Sequence, residues 1–186
     1  MRILRIAQRL ALGAAGVMVG MAAGRALARN RLRPTRTPLP NGADDIQAAT
    51  IAALARAIEA KTQSASGDAR RVQLFARALA ERIGMAAADV EAVELAALLH
   101  DIGTLAVPPH ILAKPGPLTA EEFDKVRVHP QVGADILADV PFAVPVTPLI
   151  LAHHERWDGR GYPRGLDGTD IPLGARVIAI ADCFDS

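Results

Sequence analysis

An all-α fold is predicted by three observations. Apolar residues recur at three- and four-residue spacing in segment after segment. No stretch alternates convincingly with period two. The chain is 51% hydrophobic but only 3% aromatic, with Ala and Leu dominant; strands would ask for more Val, Ile, Thr and aromatic residues. The expected architecture is a helical bundle preceded by a hydrophobic and basic helix.

Residues 1–36 stand apart. Arg2, Arg5 and Arg9 precede an uncharged run from Leu10 to Gly24, and five further arginines follow between Arg25 and Arg36. The fifteen residues between Arg9 and Arg25 fall short of the ~20 of a spanning helix, although arginines at both ends can snorkel and lengthen the span. Gly16, Gly20 and Gly24 share one helix face, the spacing that lets membrane helices approach closely and dimerise. The reading adopted is an anchor to the inner membrane with a cytoplasmic C-terminal part, because the second arginine cluster favours the cytoplasmic side. A secretory signal ending near Ala26-Leu27-Ala28 and a flexible basic leader are the alternatives. Residues 37–43 read as a linker, rich in Pro and Gly, and 44–186 as the helical domain.

Within that domain, Asp44 and Asp45 can cap a helix over about 46–62 with Ile51, Leu54 and Ile58 on one face. After a break at Ser64–Gly67, a second helix over about 69–83 carries Val72, Phe75, Leu79 and Ile83, and Gly84 stops it. A third, from about Ala87, contains Val93, Leu95, Leu98 and Leu99 and ends at His100-Asp101. Thr119 with Glu122 forms a capping box. The helix it opens meets His129-Pro130, where the proline disfavours α geometry at His129. Thr147-Pro148 opens a helix that ends at His153-His154. A glycine-rich loop follows, and Pro172 begins a last helix whose apolar run ends in Asp182.

Four of the five histidines thus stand at helix ends or corners, together with Asp101, Asp182 and Asp185. Histidine and aspartate are the ligands of several divalent metals in open, hydrolytic sites. Taken singly, each has a plainer role: a capping or surface histidine, a helix-end carboxylate, a solvated one. As an ordered set, His100, Asp101, His129, His153, His154 and Asp182 offer more donors than one tetrahedral ion needs, so two metals are expected. Adjacent His100 and Asp101 would let one side chain bind one ion while its neighbour bridges to the second. A water made acidic by both would then attack phosphorus. The formal charge of +1 gives no global field for a nucleic-acid polymer. One cysteine, Cys183, excludes an internal disulfide framework.

From about residue 50 to the end, the chain resembles the HD-GYP family of metal-dependent phosphohydrolases. The matching segments are Leu98–Gly103, Lys114–Thr119, His129-Pro130 with Gly133, His153–Gly159, Gly161–Leu166, Ile171–Leu173 with Ala175-Arg176, and Ala181-Asp182 with Asp185. The resemblance implies an all-helical fold, two or three divalent ions (iron or manganese), and hydrolysis of cyclic di-GMP. It implies ligation by His100, Asp101, His129, His153, His154 and Asp182, with Asp101 as the bridging, catalytic carboxylate. Gly161, Tyr162 and Pro163 form the family's signature loop, linked to substrate and to partner proteins, and Arg176 falls in a matching segment on the substrate side.

Three departures point to a second reading, a degenerate module that binds metal or nucleotide, or docks a partner, without turnover. Asp68 stands where the family carries a histidine ligand; it either ligates through oxygen or caps the following helix. Thr104 stands where the family carries lysine. The family also continues past the Asp182 region, so the last helix is expected to lack neighbours and the sequence to be C-terminally truncated.

Overall fold

The computed structural model describes residues 42–62 and 68–185. The anchor, its Gly16/Gly20/Gly24 face, the linker through Asn41 and the break at 64–67 lie outside the described residues, and no described helix is long and apolar enough to cross a membrane. Every regular element among the described residues is helical. The helices are α1 (Ala43–Thr62), α2 (Asp68–Arg82), α3 (Ala87–Leu99), α4 (Pro109–Leu112), α5 (Ala120–Val126), α6 (His129–Leu137), α7 (Val146–Ala152) and α8 (Leu173–Asp185). Short 3-10 turns cover Ile102–Ala106 and Gly168–Asp170.

Helix α3 is the hub, packed by α1, α2, α7 and α8. Its Val93, Ala96, Ala97 and Leu99 are fully enclosed. They meet Ala76 and Ala80 of α2, Ile150 of α7, and Ala175 and Ile178 of α8 in one continuous core. Gly174 lets α8 come this close, since a Cβ there would lie 2.8 Å from Leu149 and 2.9 Å from Val93.

The buried stripe of α2 is rotated from the expected one. Val72, Gln73, Ala76 and Ala80 face inward, while Phe75 and Ile83 are exposed and Leu79 is partly buried. Alanines allow close helix approach, so packing against the alanine-rich α3 selects them over the bulkier stripe. In α1, Ile51 and Ile58 are buried but Leu54 is exposed.

Local chemistry sets the ends as expected at two places. Gly84 (φ 78°) terminates α2, with Gly84 N–H donating to Glu81 and Met85 N–H to Ala80, the paired bonds of a Schellman motif. At α5, Thr119 accepts from Glu122 N–H and Glu122 accepts from Thr119 N–H. Helix α8 differs at its end, because it runs on through Asp182 to Asp185. Ile180 and Phe184 project from it, exposed, with Phe184 edge-on to Phe75 at 5.1 Å.

Candidate metal centre

Three histidines occupy the same local position. His100 is the C-cap of α3 and His153 the C-cap of α7; His129 opens α6, three residues beyond the last residue of α5. Each aims Nδ1 at the carbonyl three residues back: Ala97 at 2.8 Å, Val126 at 2.8 Å and Ile150 at 2.6 Å. Those carbonyls belong to last helical turns, where intrahelical donors run out. A carbonyl accepts only, so Nδ1 must be the protonated nitrogen, and each Nε2 is left as a lone pair.

Two of these Nε2 atoms meet. His129 and His153 bring theirs to 3.3 Å. Two lone pairs facing each other repel, and a cation between or beside them turns that repulsion into ligation. The donors of His129, His153 and His154 all lie within 4.8 Å of one another. Two donors each ~2.1 Å from one ion are separated by about 3 Å or slightly more, so this spacing fits a metal.

Asp101 faces both ways. Its Oδ1 lies 3.5 Å from His129 Nε2 and its Oδ2 3.4 Å from His100 Nε2. Asp182 then reaches His100 Nε2 at 3.7 Å. The six residues expected as ligands therefore form two groups, His129–His153–His154 and His100–Asp182, with one carboxylate between them.

Gly103 makes this possible. A Cβ on it would lie 1.9 Å from the carbonyl oxygen of His129 and 2.6 Å from Gly133 N, so only glycine lets the 3-10 turn after Asp101 press onto the start of α6. Thr104, where the lysine was expected, is buried; its hydroxyl donates to Asp101 O at 2.7 Å. Lys61 of α1 then donates to the carbonyls of Thr104 (2.9 Å), Leu105 and Val107 (3.1 Å), fastening the turn.

Electrostatics divide the groups. Burial, reinforced by the neighbouring histidines, pushes His153 well down. Burial and His129 bring His154 to about 4, and burial lowers His129 against the pull of Asp101. Burial opposes charge on His100 too, but Asp101 and Asp182 outweigh it and its pKa is raised. Asp182 is itself raised by burial, despite His100.

Asp68 is the first residue of α2 rather than the residue before it. It borders a cleft of about 350 Å³ with His100, Asp101, Asp182 and Asp185. There its carboxylate pairs with Arg71, whose guanidinium also grips Asp185 at 2.7 and 3.0 Å. Asp185, left open as a solvated group, is thus an ion-pair partner tying α8 to α2.

The Gly-Tyr-Pro loop folds back on the histidine pair. Gly161 is buried against the backbone of Glu155 and Arg156, where a Cβ would sit 2.3 Å from Arg156 N. Tyr162 stacks on His154, with ring centroids 4.9 Å apart and planes at 30°, and its N–H donates to His154 O. Burial and Asp101 raise its phenol to about 12, so it stays neutral. Pro163, joined by a cis peptide bond, is exposed. Arg176 lies over Trp157 at 5.5 Å.

Sequence reasoning assigned no role to Glu155. Its buried carboxylate accepts from Arg164 N–H (2.7 Å), Gly165 N–H (3.1 Å) and Leu166 N–H (3.0 Å), pinning the loop. Nothing in its spacing distinguishes it from a solvated glutamate.

Comparison with known proteins places the fold. The family model described as HD domain matches residues 52–186. Over 148 residues, 78% of this chain and 39% of the relative, the sequence is 41% identical to the cyclic di-GMP phosphodiesterase response regulator RpfG of Xanthomonas campestris. It is 38% identical to 3'3'-cGAMP-specific phosphodiesterase 2 of Vibrio cholerae, covering 72% of this chain and 26% of that one. The chain therefore spans well under half the length of these relatives. Among solved structures, Bd1817, a HDG"Y"P protein from Bdellovibrio bacteriovorus, superposes with a TM-score of 0.52 at 27% identity over 64% of this chain and 40% of that one. The V. cholerae phosphodiesterase V-cGAP3 shares the fold, with a TM-score of 0.57 at 17% identity over 73% and 39% of the two chains. With this match spanning the helices that carry every candidate ligand, the chain belongs to the HD domain family.

Proposed function

We propose that this chain is a metal-dependent phosphodiesterase that hydrolyses cyclic di-GMP. The observation that carries the reading is the Asp101 carboxylate, whose two oxygens address His129 and His100 separately. That is the disposition a bridging ligand needs. His129, His153 and His154 would hold one ion and His100 with Asp182 another, and iron or manganese suits these nitrogen and oxygen donors. Divalent ions bound there supply Lewis acidity, making water nucleophilic near neutral pH and drawing charge from the phosphate. The chain's own residues fix the imidazole tautomers through helix-end carbonyls and enclose His129 and His153. Tyr162 covers His154 and stays protonated, available as a donor to an anionic ligand.

The named activities of the relatives motivate the substrate; guanine-containing cyclic dinucleotides are the class. The same reading makes residues 1–36 a membrane anchor for a cytoplasmic domain, with self-association through Gly16, Gly20 and Gly24. It makes Gly161–Pro163 a surface for partner proteins.

The test is hydrolysis of cyclic di-GMP by the 186-residue chain, loaded anaerobically with iron or manganese, beside Asp101→Ala. Turnover that disappears in the variant supports the reading. Bound metal without turnover in the parent chain contradicts it and leaves a binding module.

A further inference from the structure

We infer that Arg127 is the side chain that receives a phosphate of the substrate, an assignment that rests on the phosphodiesterase reading above. A phosphodiester approaching the metal centre brings negative charge that protein cations must meet. Two nearby cations are already committed: Lys61 to three backbone carbonyls and Arg71 to Asp68 and Asp185.

Arg127 differs in both place and commitment. Its guanidinium lies over the Tyr162 ring, 5.2 Å from the centroid, and that ring stacks in turn on His154. The cation and a candidate ligand therefore contact the same aromatic ring. Its ion pair with Asp124 is 3.7 Å long, beyond hydrogen-bonding distance, and Asp124 is 71% exposed. The fork of N–H donors is left open to a ligand, and guanidinium matches phosphate oxygens in pairs.

The mount is firm. Arg127 is the C-cap of α5, its N–H bonded to Phe123 O at 2.9 Å, and the preceding carbonyl, that of Val126, holds the His129 ring. Phe123 stands edge-on to Tyr162 at 6.1 Å. The cation–π contact orients the guanidinium plane without neutralising it. Asp101, His154 and Tyr162 are partly exposed beside it, so this is a side from which a ligand can enter.

The experiment compares the parent chain with Arg127→Met, Arg127→Lys and Arg82→Ala, the last at the far end of α2 from the site. Three readouts are taken on metal-loaded protein: metal content, kcat/KM for cyclic di-GMP, and the Kd of a hydrolysis-resistant phosphorothioate analogue by equilibrium dialysis. Methionine keeps apolar packing on Tyr162 but removes the charge. The expected result is a fall of about ten- to a hundredfold in kcat/KM and analogue affinity, the scale of a lost charge-assisted hydrogen bond. Metal content stays at the parent value, Arg127→Lys falls less, and Arg82→Ala matches the parent. An Arg127→Met chain equal to the parent in both kcat/KM and Kd overturns the assignment. So does one that loses its metal, since Arg127 would then act through the centre. A parent chain that binds the analogue in an Arg127-dependent way but turns nothing over defeats the phosphodiesterase reading and leaves the assignment standing. A chain that neither binds nor hydrolyses defeats both.

Discussion

On one side of Asp101, His129, His153 and His154 lie against Tyr162, in a setting dry enough to hold all three imidazoles below their ordinary pKa. On the other side, His100 and Asp182 border an open cleft shared with Asp68 and Asp185, and both are raised. The first side is fixed by backbone: helix-end carbonyls orient two of its rings and Glu155 pins the loop above them. On the second, His100 has the same helix-end anchor and charge is added to it, with Arg71 clamping two carboxylates at its edge. On the proposed function, a nitrogen cluster beside a wetter, carboxylate-bearing one would give two ions different surroundings.

Asp101 joins the two sides, so removing it carries the largest expected effect. Asp101→Ala should lower turnover by on the order of a thousandfold or more, the scale of losing a member of a catalytic unit. Steady-state kinetics on cyclic di-GMP would read it, and a loss below tenfold would separate the two sides functionally.

Next is Glu155→Gln, aimed at the histidine side alone. An amide NH2 facing one of the three loop N–H donors leaves buried groups unpaired, costing about 1–3 kcal/mol. Denaturant unfolding should register that loss. Metal affinity should fall about tenfold or more, as when an outer partner of a ligand is removed. Unchanged affinity would mean that Tyr162 does not support His154.

The third expectation concerns pH and separates the sides by sign. His129, His153 and His154 are depressed, so the unfolded chain takes up their protons near 6.5 while the folded chain takes them up only at lower pH, about 4 for His154. Their contribution to stability is complete above about 6.5 and is lost as pH falls, for His154 through about 4. His100, being raised, acts oppositely: its contribution is present below about 6.5 and disappears as pH rises through its folded value. Asp182, also raised, acts in the same sense as His100; with three depressed groups against these two, the metal-free chain should melt at lower temperature at pH 5 than at pH 7. In His154→Ala the difference should shrink; a difference that grows would reverse the assignment of the dry side.

The smallest effect is expected from Arg71→Ala at the cleft edge. Partly exposed ion pairs contribute little, so turnover should change by less than about fivefold. A collapse in activity would instead make the Arg71–Asp68–Asp185 triad part of the working centre.

Much of this was legible in the sequence, for identifiable reasons. Helix boundaries near Gly84 and Thr119 follow from local backbone chemistry, and His100, His129 and His153 announced themselves by falling at helix ends. The six candidate ligands were readable as an ordered pattern, and the structure gathers them around Asp101. What stayed hidden depends on three-dimensional neighbours. Phe75 and Ile83 fit a helical stripe as well as Ala76 and Ala80 do; only the alanine surface of α3 decides between them. Glu155 and Arg127 resemble ordinary surface charges until the loop closes over one and Tyr162 comes to rest beneath the other. Helix α6 was masked by Pro130, which ends one helix but sits comfortably in the first turn of the next.

The most direct measurement of the central claim is the metal-to-protein ratio, by elemental analysis, of the parent chain and Asp101→Ala after identical anaerobic loading. More than one ion per parent chain is expected and fewer in the variant, with the circular-dichroism spectrum unchanged. Equal ratios in the two proteins would mean that the histidine and carboxylate sides bind without Asp101, and the bridge would be contradicted.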